Sequence, residues 1–205
     1  MENEKEIKGQ TKNWANPTPA GLVALAAACI GFFALLNGYV DKSAMPLLGC
    51  WLIGGFFVQL IVGLLDLKGG NHTGGNTFLF FSAFFMLAGG LEMFFKYNQI
   101  MLGSPLETRI DGYLWIAPTL ALLMWTPAFL TPFSLLSLVV LALDIALPFI
   151  TLIDLRILPG SLSFIPAYAL LAAGLAALYL SAALVVNTAF GRTAYPILQK
   201  NKKAG

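Results

Sequence analysis

Long apolar runs alternate with short polar breaks along most of the chain. The first run extends from about Pro17 to Val40 and stops at Asp41-Lys42-Ser43. The second covers Ala44 to Leu65 and meets the break Asp66-Leu67-Lys68-Gly69-Gly70-Asn71-His72-Thr73-Gly74-Gly75. The third runs from Asn76 to about Phe95, closed by Lys96, and a polar stretch from Tyr97 to Asp111 follows. The fourth, Gly112 to Leu130, gives way at Thr131-Pro132 to a fifth that reaches about Ile153. After Asp154-Leu155-Arg156 and Pro159-Gly160, the sixth and longest run extends from Ser161 to Phe190. A helix needs roughly 20 apolar residues to cross a bilayer. The pattern therefore predicts an all-α membrane protein with six spans. Fusing the fourth and fifth runs would give about 40 residues, too long for one crossing. Asn16 suits the N-cap of the first span, with Pro17 at a position that needs no hydrogen bond. The sixth run is expected to tilt, or to open with an interfacial turn before Pro166.

Composition narrows the reading. The chain is 58% hydrophobic and only 11% charged, against about a quarter charged in soluble domains. A surface facing lipid excludes charge. Few residues remain for a soluble domain, so the expected organisation is a tail over 1–15, a six-helix pore domain over 16–190 and a tail over 191–205. The polar opening Met1–Asn13 predicts no cleaved leader, and the first run would serve as the insertion signal. With six spans, eight Lys and Arg residues fall on the side of the termini and four on the other, which predicts cytoplasmic termini. A net charge of +2 offers nothing to nucleic acid. Cys29 and Cys50 lie in apolar runs and read as small buried hydrophobes. No metal or cofactor is expected.

Soluble-enzyme signatures such as a P-loop, G-x-G-x-x-G, C-x-x-C or H-E-x-x-H do not occur, so no covalent chemistry is expected. His72, in a glycine-rich break, reads as a solvated loop residue. The informative positions are polar residues inside the spans, which must find partners or water. Gln59 lies mid-span and can donate and accept hydrogen bonds. Glu92 stands one helical turn before Lys96, as in a plain interfacial ion pair. Asp144, inside the fifth run, is the candidate for proton relay. Ala169, Ala173, Ala177 and Ser181 recur every four residues, a spacing that lets helices approach closely. Gly55, Gln59 and Gly63 form a second such stripe. At the start of the first span, the backbone donors of Thr18, Ala20 and Gly21, the Asn16 amide and the Thr18 hydroxyl could hold a small anion, helped by the helix dipole.

The segment Asn16-Pro17-Thr18-Pro19-Ala20-Gly21-Leu22 resembles the signature of the acetate uptake transporter family. Three further segments agree in order: Gly54-Gly55 with Gln59, Gly63-Leu64-Leu65 and Asp66; Gly75-Asn76-Thr77-Phe78; and Tyr179-Leu180, Asn187, Phe190-Gly191-Arg192-Thr193 with Pro196-Ile197. The resemblance covers roughly Asn16 to Ile197. It implies six helices per protomer in a bundle similar to that of urea and amide channels, a pore through each protomer, and a homo-hexameric ring in the lipid of the cytoplasmic membrane. Small carboxylates, chiefly acetate and by extension succinate, would pass by channel-like or proton-coupled transport. Asn16, Thr18, Ala20, Gly21, Gln59 and Asn187 would contact the substrate. The family's hydrophobic constriction would fall by position on Leu25, on Phe85 or Met86, and on Leu141 or Ala142. Two other functions are set beside this: a channel for urea, short amides or ammonia, and a membrane sensor or scaffold that transports nothing. The short termini count against the scaffold.

Overall fold

The computed structural model describes residues 14–197, and every regular element among them is helical. Six spans follow one another: α1 (Thr18–Leu36), α2 (Met45–Lys68), α3 (His72–Leu102), α4 (Arg109–Phe129), α5 (Leu135–Asp154) and α6 (Phe164–Phe190). Single 3-10 turns, Lys42–Ala44 and Gly160–Ser163, precede α2 and α6. All six are long and apolar enough to cross a bilayer, so the chain is a multi-pass membrane protein. Of the expected tails over 1–15 and 191–205, residues 1–13 and 198–205 lie outside the described residues.

Several helix ends differ from the hydropathy pattern. Hydropathy marks the edge of the hydrocarbon, whereas the helix continues until its hydrogen-bond ladder is interrupted. Thus α2 carries on through Asp66-Leu67-Lys68, and α3 begins at His72, so this histidine opens a helix rather than lying in a loop. The turn between them is only 69–71. Gly70 takes a left-handed conformation there, with φ of +84°, which a side chain would resist. Asn71 then caps α3 by accepting from the Gly74 N–H at 3.0 Å. The far end of α3 runs past Lys96 to Leu102 and stops at Gly103, again left-handed. Conversely, α1 ends at Leu36 rather than Val40. After Thr131-Pro132, α5 begins at Leu135, with Ser134 and Ser137 forming a capping box. The Lys96–Glu92 pair is present at 3.0 Å, and Asp111 of α4 joins it at 2.6 Å.

The tightest packing uses small residues. Along α6, Ala173, Ala177 and Ser181 are buried, and α1 lies against them. A Cβ on Gly174 would stand 3.0 Å from the Cys29 Cβ and 3.3 Å from the Ala26 carbonyl. The Ser181 hydroxyl donates to the Pro19 carbonyl at 2.9 Å. Without a hydrophobic drive between helices in lipid, such close contact and such bonds supply the association. Cys29 is buried in this seam, but Cys50 is exposed on the outer face of α2, contrary to expectation.

α2 and α3 touch backbone to backbone twice. A Cβ on Gly63 would meet the Gly75 carbonyl at 3.0 Å, and one on Gly49 would meet the Gly90 carbonyl at 2.7 Å. The glycines of α2 are 14 residues apart and those of α3 are 15 apart. The mismatch is absorbed within α3, where Phe81–Ala88 winds as a π-helix between two α-helical stretches. A π turn holds more residues than an α turn, and such insertions cluster at functional sites.

Candidate functional site

On the side of the bundle where α1 starts and α2 ends, a vestibule of about 780 Å³ opens among Trp14, Asn16, Thr18, Asp66, Lys68 and Asn71. Thr18 and Asn71 also border a much smaller cavity of about 50 Å³ leading into the bundle. These two residues therefore stand between a polar vestibule and a narrow apolar cavity, called the neck and the passage below. The neck is built around Asp66. Its carboxylate accepts from the Thr18 hydroxyl at 3.3 Å and from the Asn71 amide at 3.1 Å. Asp66 is buried at the mouth of the passage.

Inside the neck the wall turns apolar. Leu22 and Leu25 come from α1, Phe78 and Phe81 from α3, and Val139, Val140 and Leu143 from α5. Phe78 can lean across α1 only because position 21 is glycine: a Cβ there would lie 2.6 Å from its ring. Gln59 of α2 adds the amide of this wall, fully buried. Its Nε2 donates to the Gly21 carbonyl at 3.4 Å, and its Oε1 has no partner. Deeper in the bundle, Phe81 meets Phe85 edge-on at 5.9 Å, and Phe85 stacks on Phe32 at 5.1 Å. Phe81 thus joins the cavity wall to a buried aromatic cluster.

Of the residues singled out from the sequence, Thr18, Leu25 and Gln59 lie on the passage and Asn16 on the vestibule. The helix-end donors are already in use. Asn16 Oδ1 accepts from the Thr18 N–H at 3.0 Å, and the Ala20 N–H donates to the Pro17 carbonyl at 3.1 Å. The helix thus starts one residue later than expected, at Thr18, with Pro17 at its cap position. Ala20 faces an outer groove beside Val23 and Ala27, and Gly21 is buried under Phe78. Because Asn16 Oδ1 satisfies the Thr18 N–H from just before the helix, Asn16→Ala is expected to lower stability by about 1 kcal/mol. Thermal unfolding in detergent would show it as a small drop in Tm.

Other expected positions are corrected by the geometry. Asn187 does not reach the passage. Its amide donates to the Tyr195 carbonyl at 2.8 Å, and its Oδ1 accepts from the Ala194 and Tyr195 N–H groups, each at 2.8 Å. With Tyr179 donating to the Pro196 carbonyl at 2.9 Å, it clamps the segment after α6 onto the helix. Leu141 is exposed on the outer surface, and Ala142 packs into the core away from the passage. The α5 wall is made instead by Val139, Val140 and Leu143. Met86 is buried beside Gly55, with its sulfur 3.0 Å from where a Cβ at that glycine would stand. Phe85 belongs to the aromatic cluster beyond the wall. Asp144 lies between α5 and α4, with Oδ2 at 2.7 Å from the Thr126 hydroxyl and Oδ1 without a partner, and it does not border the passage. Asn71, Phe78 and Phe81 border the cavity without having been singled out from the sequence. An N-cap side chain folded back onto Asp66 leaves no mark in a hydropathy pattern, and aromatic residues in an apolar run look alike until the helix phase is known.

No protein-family model matches the sequence, and no curated protein matches it in sequence. Among solved structures, the bacterial acetate channel SatP is similar, with a TM-score of 0.76 and 22% sequence identity over 90% of this chain and 99% of that chain. The two share a fold across nearly their whole lengths.

Proposed function

We propose that the protein carries acetate and similar small monocarboxylates across the cytoplasmic membrane, through a path within each protomer. The observation that supports this best is the pair of spaces on either side of Thr18 and Asn71, a wide polar vestibule and a small apolar passage with room for only a few heavy atoms. The passage would tolerate one methyl group. The fold shared with an acetate channel agrees with it, as does the ordered resemblance of the sequence segments. The vestibule faces the cytoplasm in this reading, because the excess of Lys and Arg lies on the side of the termini. Protomers assemble as a homo-hexamer.

The test is uptake of tracer acetate by proteoliposomes containing the purified protein. The expected result is uptake well above that of protein-free vesicles. Equal uptake in the two would remove the proposal and leave a membrane protein with some other task. One feature favours a second reading, transport of short amides or urea: the open Gln59 oxygen can accept an N–H as readily as an O–H. Competition decides between them. Excess acetamide or urea would suppress acetate uptake if the same path served both, and would leave it unchanged on the first reading.

A further inference from the structure

Polar side chains of α5 meet α4 at three levels. Ser137, Asp144 and Thr151 stand seven residues apart, about two helical turns. They bond respectively to the Phe129 carbonyl, Thr126 and Thr119. Asp144 is the middle rung. It is the tenth of the 20 residues of α5 and so lies deep in the span. It is also the one rung that can ionise. α5 packs chiefly between α4 and α6. From 112 to 153, and throughout α6, the chain has no other Asp, Glu, Lys, Arg or His. The remaining charged residues of α4 and α5 are Arg109, Asp111 and Asp154, all at the end of the pair where α4 begins. Even Asp154 is about 15 Å away along the helix axis. No cation on the packed elements faces the Asp144 carboxyl.

Counting hydrogens locates its proton. The Thr126 hydroxyl oxygen lies 2.9 Å from the Leu122 carbonyl of its own helix and 2.7 Å from Asp144 Oδ2. A hydroxyl has one hydrogen and cannot supply both. The Leu122 carbonyl has none to give, so the threonine hydrogen belongs there. The Thr119–Thr151 rung works the same way. Thr151 gives its hydrogen to the Leu147 carbonyl at 2.8 Å, so Thr119, 2.9 Å away, must donate to Thr151. Thr77 and Thr188 also bond back by four residues. The hydrogen between Thr126 and Asp144 then has to come from the carboxyl. The other oxygen agrees. Oδ1 is sealed inside the protomer without a partner, a state far less costly for the carbonyl oxygen of an acid than for half of a carboxylate.

We propose that Asp144 is kept as the neutral acid, with its Oδ2–H donated to Thr126, and that this held proton latches α5 to α4 in mid-membrane. In this form Asp144 is a fixed donor rather than the relay that its place in the fifth run suggests. Loss of the proton would draw the Thr126 hydrogen away from Leu122 toward the new charge and loosen the middle of the seam. The latch does not depend on the transport reading, because Asp144 stands off the passage.

The test is infrared difference spectroscopy of the protein in lipid membranes at pH 7, wild type against Asp144→Asn. The expected result is the carbonyl stretch of an undissociated carboxyl group, present in wild type and lost in the variant. Loss of carboxylate bands instead would overturn the proposal. Thr126→Val, which keeps the shape and removes the acceptor, covers the case in which Asp144→Asn does not fold. It is expected to shift the acid band and to lower Tm in detergent by about 2–4 °C. An unmoved acid band, or a Tm equal to that of wild type, would show that the proton does not hold the two helices together and would overturn the latch.

Discussion

Succinate at pH 7 is expected to enter proteoliposomes at least roughly a hundredfold more slowly than acetate. The passage is lined by Leu22, Leu25, Phe78, Phe81, Val139, Val140 and Leu143, with one buried amide among them. A second carboxyl group has to travel through the same wall, and Gln59 has only one open oxygen to offer. Removing an ionised carboxylate from water costs several kcal/mol even after the surroundings relax. About 3 kcal/mol already corresponds to a hundredfold in rate. Paired tracer uptake measurements on one vesicle preparation check this directly. Comparable rates for the two acids would mean that the passage widens or hydrates far more than its cavity of about 50 Å³ allows.

Replacing Gly49 with leucine is expected to be the most damaging single change to the fold. The first carbon of the new side chain would sit 2.7 Å from the Gly90 carbonyl and 2.7 Å from the Phe94 ring. A ring can shift, but a carbonyl held in a packed helix cannot, so α2 and α3 must separate. Overpacking of this kind costs roughly 1–3 kcal/mol. In a protein of this size that corresponds to a fall in Tm on the order of 5–10 °C. Gly54→Ala is the control. A Cβ at Gly54 meets nothing within 4 Å, so its thermal unfolding in detergent should match wild type or improve slightly, because alanine favours the helix. Similar losses in both variants would mean that the glycine contacts do not hold the two spans together.

Much of the architecture could be read from the apolar runs. Six runs became six spans, because a bilayer imposes one length on every crossing. On the four-residue ladder of the sixth run, Ala173, Ala177 and Ser181 are buried, and Ser181 bonds to the carbonyl of Pro19 in α1. Gln59 could be picked out because a polar amide in mid-span has few ways to be satisfied. What escaped was phase and tertiary reach. On α5, a shift of one or two positions separates exposed Leu141 from Val139, Val140 and Leu143 on the passage. Asn187 looked like a polar contact for substrate, yet its partners are backbone groups at 194–195. Only the folded chain shows that the residues after Phe190 turn back onto α6. Likewise, of the helix-end donors, Asn16 and Pro17 already take those of Thr18 and Ala20.

The π-wound middle of α3 bears on how sequences of this fold should be aligned. Between Gly75 and Gly90 the third span has one residue more than the matching stretch of the second, and the surplus is stored in Phe81–Ala88. A homologue lacking a single residue there could wind as plain α-helix and still bring both glycines to the same crossings. A one-position gap inside this stretch would therefore be geometrically silent at either end, whereas the same gap between Asn76 and Phe80 would rotate Phe78 out of the passage by about 100°.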